Sequence, residues 1–184
     1  MAEAPQIEIL NALAEHLTRL MRFKQTVIGW PDGSQKLTLP AVSMIVKKGR
    51  VNPFPPHVLG VTNIKDNAAD TAYVTGEWEF SIQLDLWCKT SAERYDALER
   101  LTQVFFSQGE RTVPIITLIL PKYHKTRATY NMVSASIPDA AATPLAQEWR
   151  VMVEVMASCS QIIVRENEAL ITQDADVNLD ILKD

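Results

Sequence analysis

Glu77 and Glu79 are the pair best spaced for acid–base work, because residues two apart on an extended chain share a face. Ser81, Gln83 and Asp85 continue the same parity, so the two carboxylates belong to a longer polar strand face. Contact with solvent or a neighbouring subunit accounts for such a face better than catalysis does. The histidines, His16, His57 and His124, are far apart and no HExxH accompanies them. Cys88 and Cys159 lack a CxxC arrangement and each continues the apolar parity of its own strand, which fits buried small hydrophobes rather than nucleophiles or ligands. No glycine-rich phosphate loop and no GxSxG elbow occurs. The expectation is a protein without catalytic, cofactor or metal-binding residues.

Cations gather in two places. Lys47, Lys48 and Arg50 precede Phe54 in the stretch 49–56, where Pro53, Pro55 and Pro56 predict an irregular loop. The second group is Lys122, Lys125 and Arg127, interleaved with Tyr123, His124 and Tyr130. Basic residues among aromatics can grip a nucleic-acid backbone. The net charge of −4 opposes that use, because dedicated binders carry a basic footprint. Lys48, Arg50, Phe54, Lys122, Tyr123, Lys125 and Arg127 are therefore candidates for partner-binding loops, with DNA contact the less favoured role.

The elements that must position these groups follow from periodicity. Residues 5–23 carry Ile7, Leu10, Leu13, Leu17, Leu20 and Met21 at helical spacing, with Pro5 in the first turn. From Trp78 through Phe80, Ile82, Leu84 and Leu86 the chain alternates strictly with the polar set, which predicts a half-buried strand. Thr90 and Glu93 then form a capping-box pattern ahead of a second helix over 92–106. Further strands are predicted over 26–30, 40–48, 57–64, 113–120, 131–137 and 149–159, with hairpins joining 57–64 to 73–88 and 131–137 to 149–159. Polar tips are expected at 65–71 and 139–147, and a bulge or turn at Gly76.

A length of 184 residues with 47% hydrophobic content suits one globular core. The expected fold is α+β: a mostly antiparallel sheet with two amphipathic helices packed on one face, and long hairpin tips. Residues 1–165 form that single domain, and 166–184 an acidic C-terminal tail or an added strand. No leader pattern and no apolar run long enough for a bilayer is present, so no membrane association is expected.

The run 76–98, Gly-Glu-Trp-Glu-Phe-Ser-Ile-Gln-Leu-Asp-Leu-Trp-Cys-Lys-Thr-Ser-Ala-Glu-Arg-Tyr-Asp-Ala-Leu, resembles the tail terminator (tail completion) proteins of long-tailed bacteriophages. Shared with that family are an alternating strand ending in Asp85, Leu86 and Trp87, a Thr/Ser turn, and a helix containing Glu93 and Ala97-Leu98. An N-terminal helix ahead of the strands also matches. The chain is longer than a minimal member over 26–73 and in its second half, which keeps a related neck or connector (head–tail joining) protein open.

The resemblance implies a virion protein, present in the host cytoplasm during assembly. It would form a homo-oligomeric ring, with a hexamer expected, that caps the tail tube, ends its growth and meets neck and head-completion proteins. DNA would pass through the ring without sequence-specific binding, and no cofactor is implied. Glu77, Glu79, Gln83 and Asp85 are then candidates for a subunit or lumen face. A small enzyme or ligand-binding domain is the reading from a different class, and would require a deep pocket with convergent polar groups.

Overall fold

Helix α1 (Pro5–Met21) begins on Pro5, whose fixed φ suits a first helical position, and ends at Arg22 in the left-handed conformation (φ 54°). Its buried stripe is Ile9, Leu10, Leu13, Ala14, Leu17 and Met21. Ile7 and Leu20, expected in the stripe, are about half exposed, because the buried face is centred on Ile9, Leu13 and Leu17. These three have no exposure, and each such side chain contributes roughly 1.5–3 kcal/mol of transfer free energy.

The computed structural model describes residues 4–29, 31, 37–65, 68–106, 113–138 and 149–169. Strands β1 (Gln25–Ile28), β2 (Ala41–Lys65), β3 (Ala68–Cys88), β4 (Ile115–Leu120), β5 (Thr126–Ser136) and β6 (Trp149–Ala169) form one sheet in the order β1-β2-β3-β6-β5-β4. Helix α2 (Ser91–Phe106) follows β3 directly. The Thr90 hydroxyl accepts from the Glu93 N–H at 3.1 Å, while the Glu93 carboxylate accepts from the Lys89 N–H at 2.8 Å. The capping residues thus satisfy donors at both sides of the helix start.

The expected fold class is corrected. Strand dominates over the two helices, and the sheet is mixed because β1 pairs parallel to β2 while the remaining pairs are antiparallel. The sheet curls into a half-barrel instead of offering a flat face on which helices lie. Helix α1 touches β1 and β2 at one sheet edge and β4 at the other. The Tyr130 hydroxyl on β5 donates to the Ile9 carbonyl of α1 at 3.0 Å, and Glu8 accepts from the Lys122 N–H at 3.1 Å. Phe80, Ile82, Leu84 and Leu86 of β3 meet α1, α2 and the inner residues of β5 and β6 in one core.

Two local expectations also change. The stretch 49–56 is not a loop: β2 runs through it, with register shifts at Val46/Lys48 and Pro53/His57. Prolines are tolerated there because β2 has β3 on one side only beyond its short pairing with β1. The strongly apolar run 113–120 predicts a buried strand, but β4 (Ile115–Leu120) lies at the sheet edge, with Ile116 and Leu120 buried and Ile119 62% exposed. The hairpins β2–β3 and β5–β6 are present, as is a register shift at Val74/Gly76. The tip at 139–147 lies outside the described residues.

Candidate functional site

Two surfaces come from the long strands. The first is the outer face of the sheet, where Glu77, Glu79, Ser81, Gln83 and Asp85 project from β3 on the side opposite the core. The structure divides this set. Glu77 is exposed and Glu79 half-buried, whereas Gln83 and Asp85 are buried. Arg50 and Asn52, opposite Glu79 and Glu77 on β2, both donate to the Glu79 carboxylate at 2.6 Å. Ser81 donates to Glu154 of β6 at 3.1 Å.

Deeper in the same face, Asp85 accepts from Arg150 Nε at 2.8 Å and from the Gln83 amide at 3.0 and 3.1 Å. The Arg150 guanidinium stacks 5.2 Å from the Trp87 ring, and the Trp87 indole N–H donates to Ser43 on β2 at 3.0 Å. Burial raises the Asp85 carboxyl above its ordinary value, more than Arg150 and Gln83 lower it. This carboxylate is occupied from several sides, and the cluster links β2, β3 and β6. Its arrangement suits holding strand register better than moving a proton.

The second surface is an arm. β5 covers β6 only as far as Cys159, opposite Ala128, so beyond that point β2, β3 and the end of β6 continue as a three-stranded extension to Ala68 and Ala169. Val58, Tyr73 and Ile163 are cross-strand partners and share one face there. Val58 is 62% and Ile163 46% exposed. Arg165 lies 5.2 Å from the Tyr73 ring centroid. Phe54, Leu59, Val61 and Val164 add further exposed apolar area. Nothing in the opening periodicity singled out this row. The signal was present in Val58, Tyr73 and Ile163 as apolar residues on three strands, but the pairing that aligns Tyr73 with Ile163 joins positions ninety residues apart, which no local pattern encodes.

The candidate partner loops separate as well. Lys48, Arg50 and Phe54 are exposed on β2. Lys122, Lys125 and Arg127 are exposed at and after the β4–β5 turn, where His124 and Lys125 take left-handed conformations (φ 51° and 52°). Tyr123, however, is buried, and its hydroxyl accepts from the Ile162 N–H at 3.2 Å. Tyr130 is fully buried and held far above its ordinary value by that burial. The two tyrosines belong to the core, so this segment offers cations without a stacking platform for bases.

The remaining polar groups are placed as follows. A cleft of about 590 Å³ lies between α1 and β4, lined by Glu8, Glu15, His16 and Arg19 among others. Burial, and then the Arg19 charge, lower the His16 imidazole. Cys88 and Cys159 are buried free thiols, pushed up to about 11 and about 12 respectively, chiefly by burial, and so are held protonated. Arg94, also buried, sits 4.8 Å from the Trp149 ring and 5.3 Å from that of Tyr95. Among the described residues no group of three or more His, Cys, Asp or Glu is placed to hold a metal ion, and no helix is long and apolar enough to cross a membrane. A scan of protein-family models and a search of curated proteins returned no match to this chain.

Proposed function

We propose that the protein is a structural subunit of a bacteriophage tail, resembling a tail terminator, that assembles as a ring on the end of the tail tube. The observation that carries this reading is the Val58–Tyr73–Ile163 row on an arm extending past the core, with Val58 and Ile163 exposed on either side of a half-buried Tyr73. An apolar row on a projecting strand trio gains free energy by meeting another protein, and ring subunits meet neighbours on two sides. The resemblance of 76–98 to terminator proteins supplies the identity of the assembly. In this reading the partners are further copies of the chain, the tail tube and the neck or head-completion proteins. The chain's net charge of −4 suits a ring through which DNA slides without being gripped.

Electron microscopy of tails assembled without this protein tests the proposal. Tubes longer than normal are the expected result. Tubes of normal length that lack heads would assign the chain to the neck instead. Tails of normal length joined to heads would remove the proposal.

A further inference from the structure

β1 covers β2 only from Ala41 to Met44. Among the described residues no strand pairs with the next stretch, Ile45 to Asn52, on the side away from β3. Pro53, Pro55 and Pro56 then remove backbone donors and so end this stretch of edge, separating it from the arm beyond. Its two faces differ. Lys48 and Arg50 lie opposite Ser81 and Glu79 on the outer face, whereas Val46, Gly49 and Val51 lie opposite Ile82, Phe80 and Trp78 on the inner face. Lys47, at the register shift, adds a further cation; the Glu79 carboxylate already compensates Arg50, so the edge's net positive charge comes from Lys47 and Lys48.

The stretch 170–184 has the complementary pattern. Asp176, Asn178 and Asp180 alternate with Val177, Leu179 and Ile181, and Asp174 and Asp184 add negative charge against Lys183. Laid along the open edge as a strand, one parity sets Asp176 and Asp180 on the side of Lys48 and Arg50. The same parity sets Val177, Leu179 and Ile181 on the side of Val46 and Val51. Two copies of the basic edge repel each other, while an acidic strand is attracted.

We infer that residues 174–182 of one copy add as a β-strand to the Ile45–Asn52 edge of β2 in a neighbouring copy. Reach excludes the same chain. Ala169 pairs with Ala68 at the tip of the arm, and Asn52 pairs with Glu77, nine β3 residues from that tip. Nine strand residues span about 30 Å. Asp176 is seven residues past Ala169, and seven residues reach at most about 25 Å. An antiparallel strand with its acidic residues beside Lys48 and Arg50 brings Asp176 at least as far as Asn52, and must also cross the width of the arm. The inference rests on the ring proposed above only in that the ring is what sets two copies side by side.

A fluorescent peptide of residues 170–184, titrated into the full chain, tests it by anisotropy. Saturable binding is expected, with amide exchange slowed at 45–52. The double variant Lys47→Glu/Lys48→Glu should weaken binding at least tenfold while its far-UV spectrum and Tm match the parent, since both side chains are exposed. A peptide carrying Asp176→Lys and Asp180→Lys should recover affinity for that variant. No binding, binding indifferent to the charge reversal, or protection on β4 instead would overturn the inference. Rings seen on tail tubes without peptide binding would overturn it and leave the ring intact. Peptide binding with the charge-swap rescue, but without rings, would support strand exchange between copies and remove the ring.

Discussion

At the scale of single residues, Asp85 shows how burial changes what a carboxylate contributes. Its side chain is 1% exposed and bonded to Arg150 and Gln83, and burial holds its carboxyl above the ordinary value. The folded chain therefore holds that proton more tightly than the unfolded chain. The group's contribution to stability is then fully present below the unfolded value and is lost as pH rises through the raised one, opposite to a carboxylate whose pKa a salt bridge depresses. Urea unfolding should show that Asp85→Asn costs about 1–3 kcal/mol, because an amide cannot accept from both Arg150 and Gln83 as the carboxyl does. That penalty should be larger near about pH 4 than near about pH 7, since only the parent titrates between them. Gly76 makes a different demand. A Cβ there would stand 2.8 Å from the Asn52 carbonyl oxygen and 3.2 Å from the Pro53 Cα. Both are backbone atoms, so Gly76→Ala should lower the urea midpoint by an amount equivalent to about 1–3 kcal/mol.

At the scale of elements, the chain's periodicities carried a good deal and missed one thing. The alternation from Trp78 to Leu86 and the Thr90/Glu93 cap identify β3 and α2 without any tertiary information, because each is written in neighbouring residues. The prolines at 53, 55 and 56 read as a loop because local rules penalise them in strands, yet β2 passes through them where it has an open side. Ile163→Glu on the arm should leave monomer stability within about 0.5 kcal/mol, because the side chain is already well exposed and makes no core contact. The same variant should fail to assemble on tail tubes. Thermal unfolding and negative-stain microscopy of the one preparation check both halves, and a variant that still decorates tubes would show the arm to be idle.

At the scale of the whole molecule, the curl of the sheet decides which surfaces are left for partners. With α1 held in the concavity by strands from both sheet edges, the inner face is filled near the helices. The arm, the outer face around Glu77 and Glu79, and the basic edge of β2 lie outside that filled region. An assembly subunit needs at least two such surfaces that differ from each other, since a ring joins unlike patches on successive copies. The absence of overlong tubes in tails lacking the protein would count against the role of ending tube growth, whatever the merits of the surfaces.

The sequence alone determined the two helices, most of the strands, the α2 cap, the burial of both cysteines and the polar parity of β3, all properties of residues close together in the chain. Only the tertiary structure decided that Gln83 and Asp85 are buried while Glu77 is not, that Tyr123 and Tyr130 belong to the core, and that β1 joins the sheet in parallel. It also decided that Val58, Tyr73 and Ile163 form one row. Each of these depends on which strand lies beside which. Pairing between strands far apart in sequence is settled by how the whole set of apolar faces closes around α1, and that closure is a property of the sheet rather than of any stretch within it.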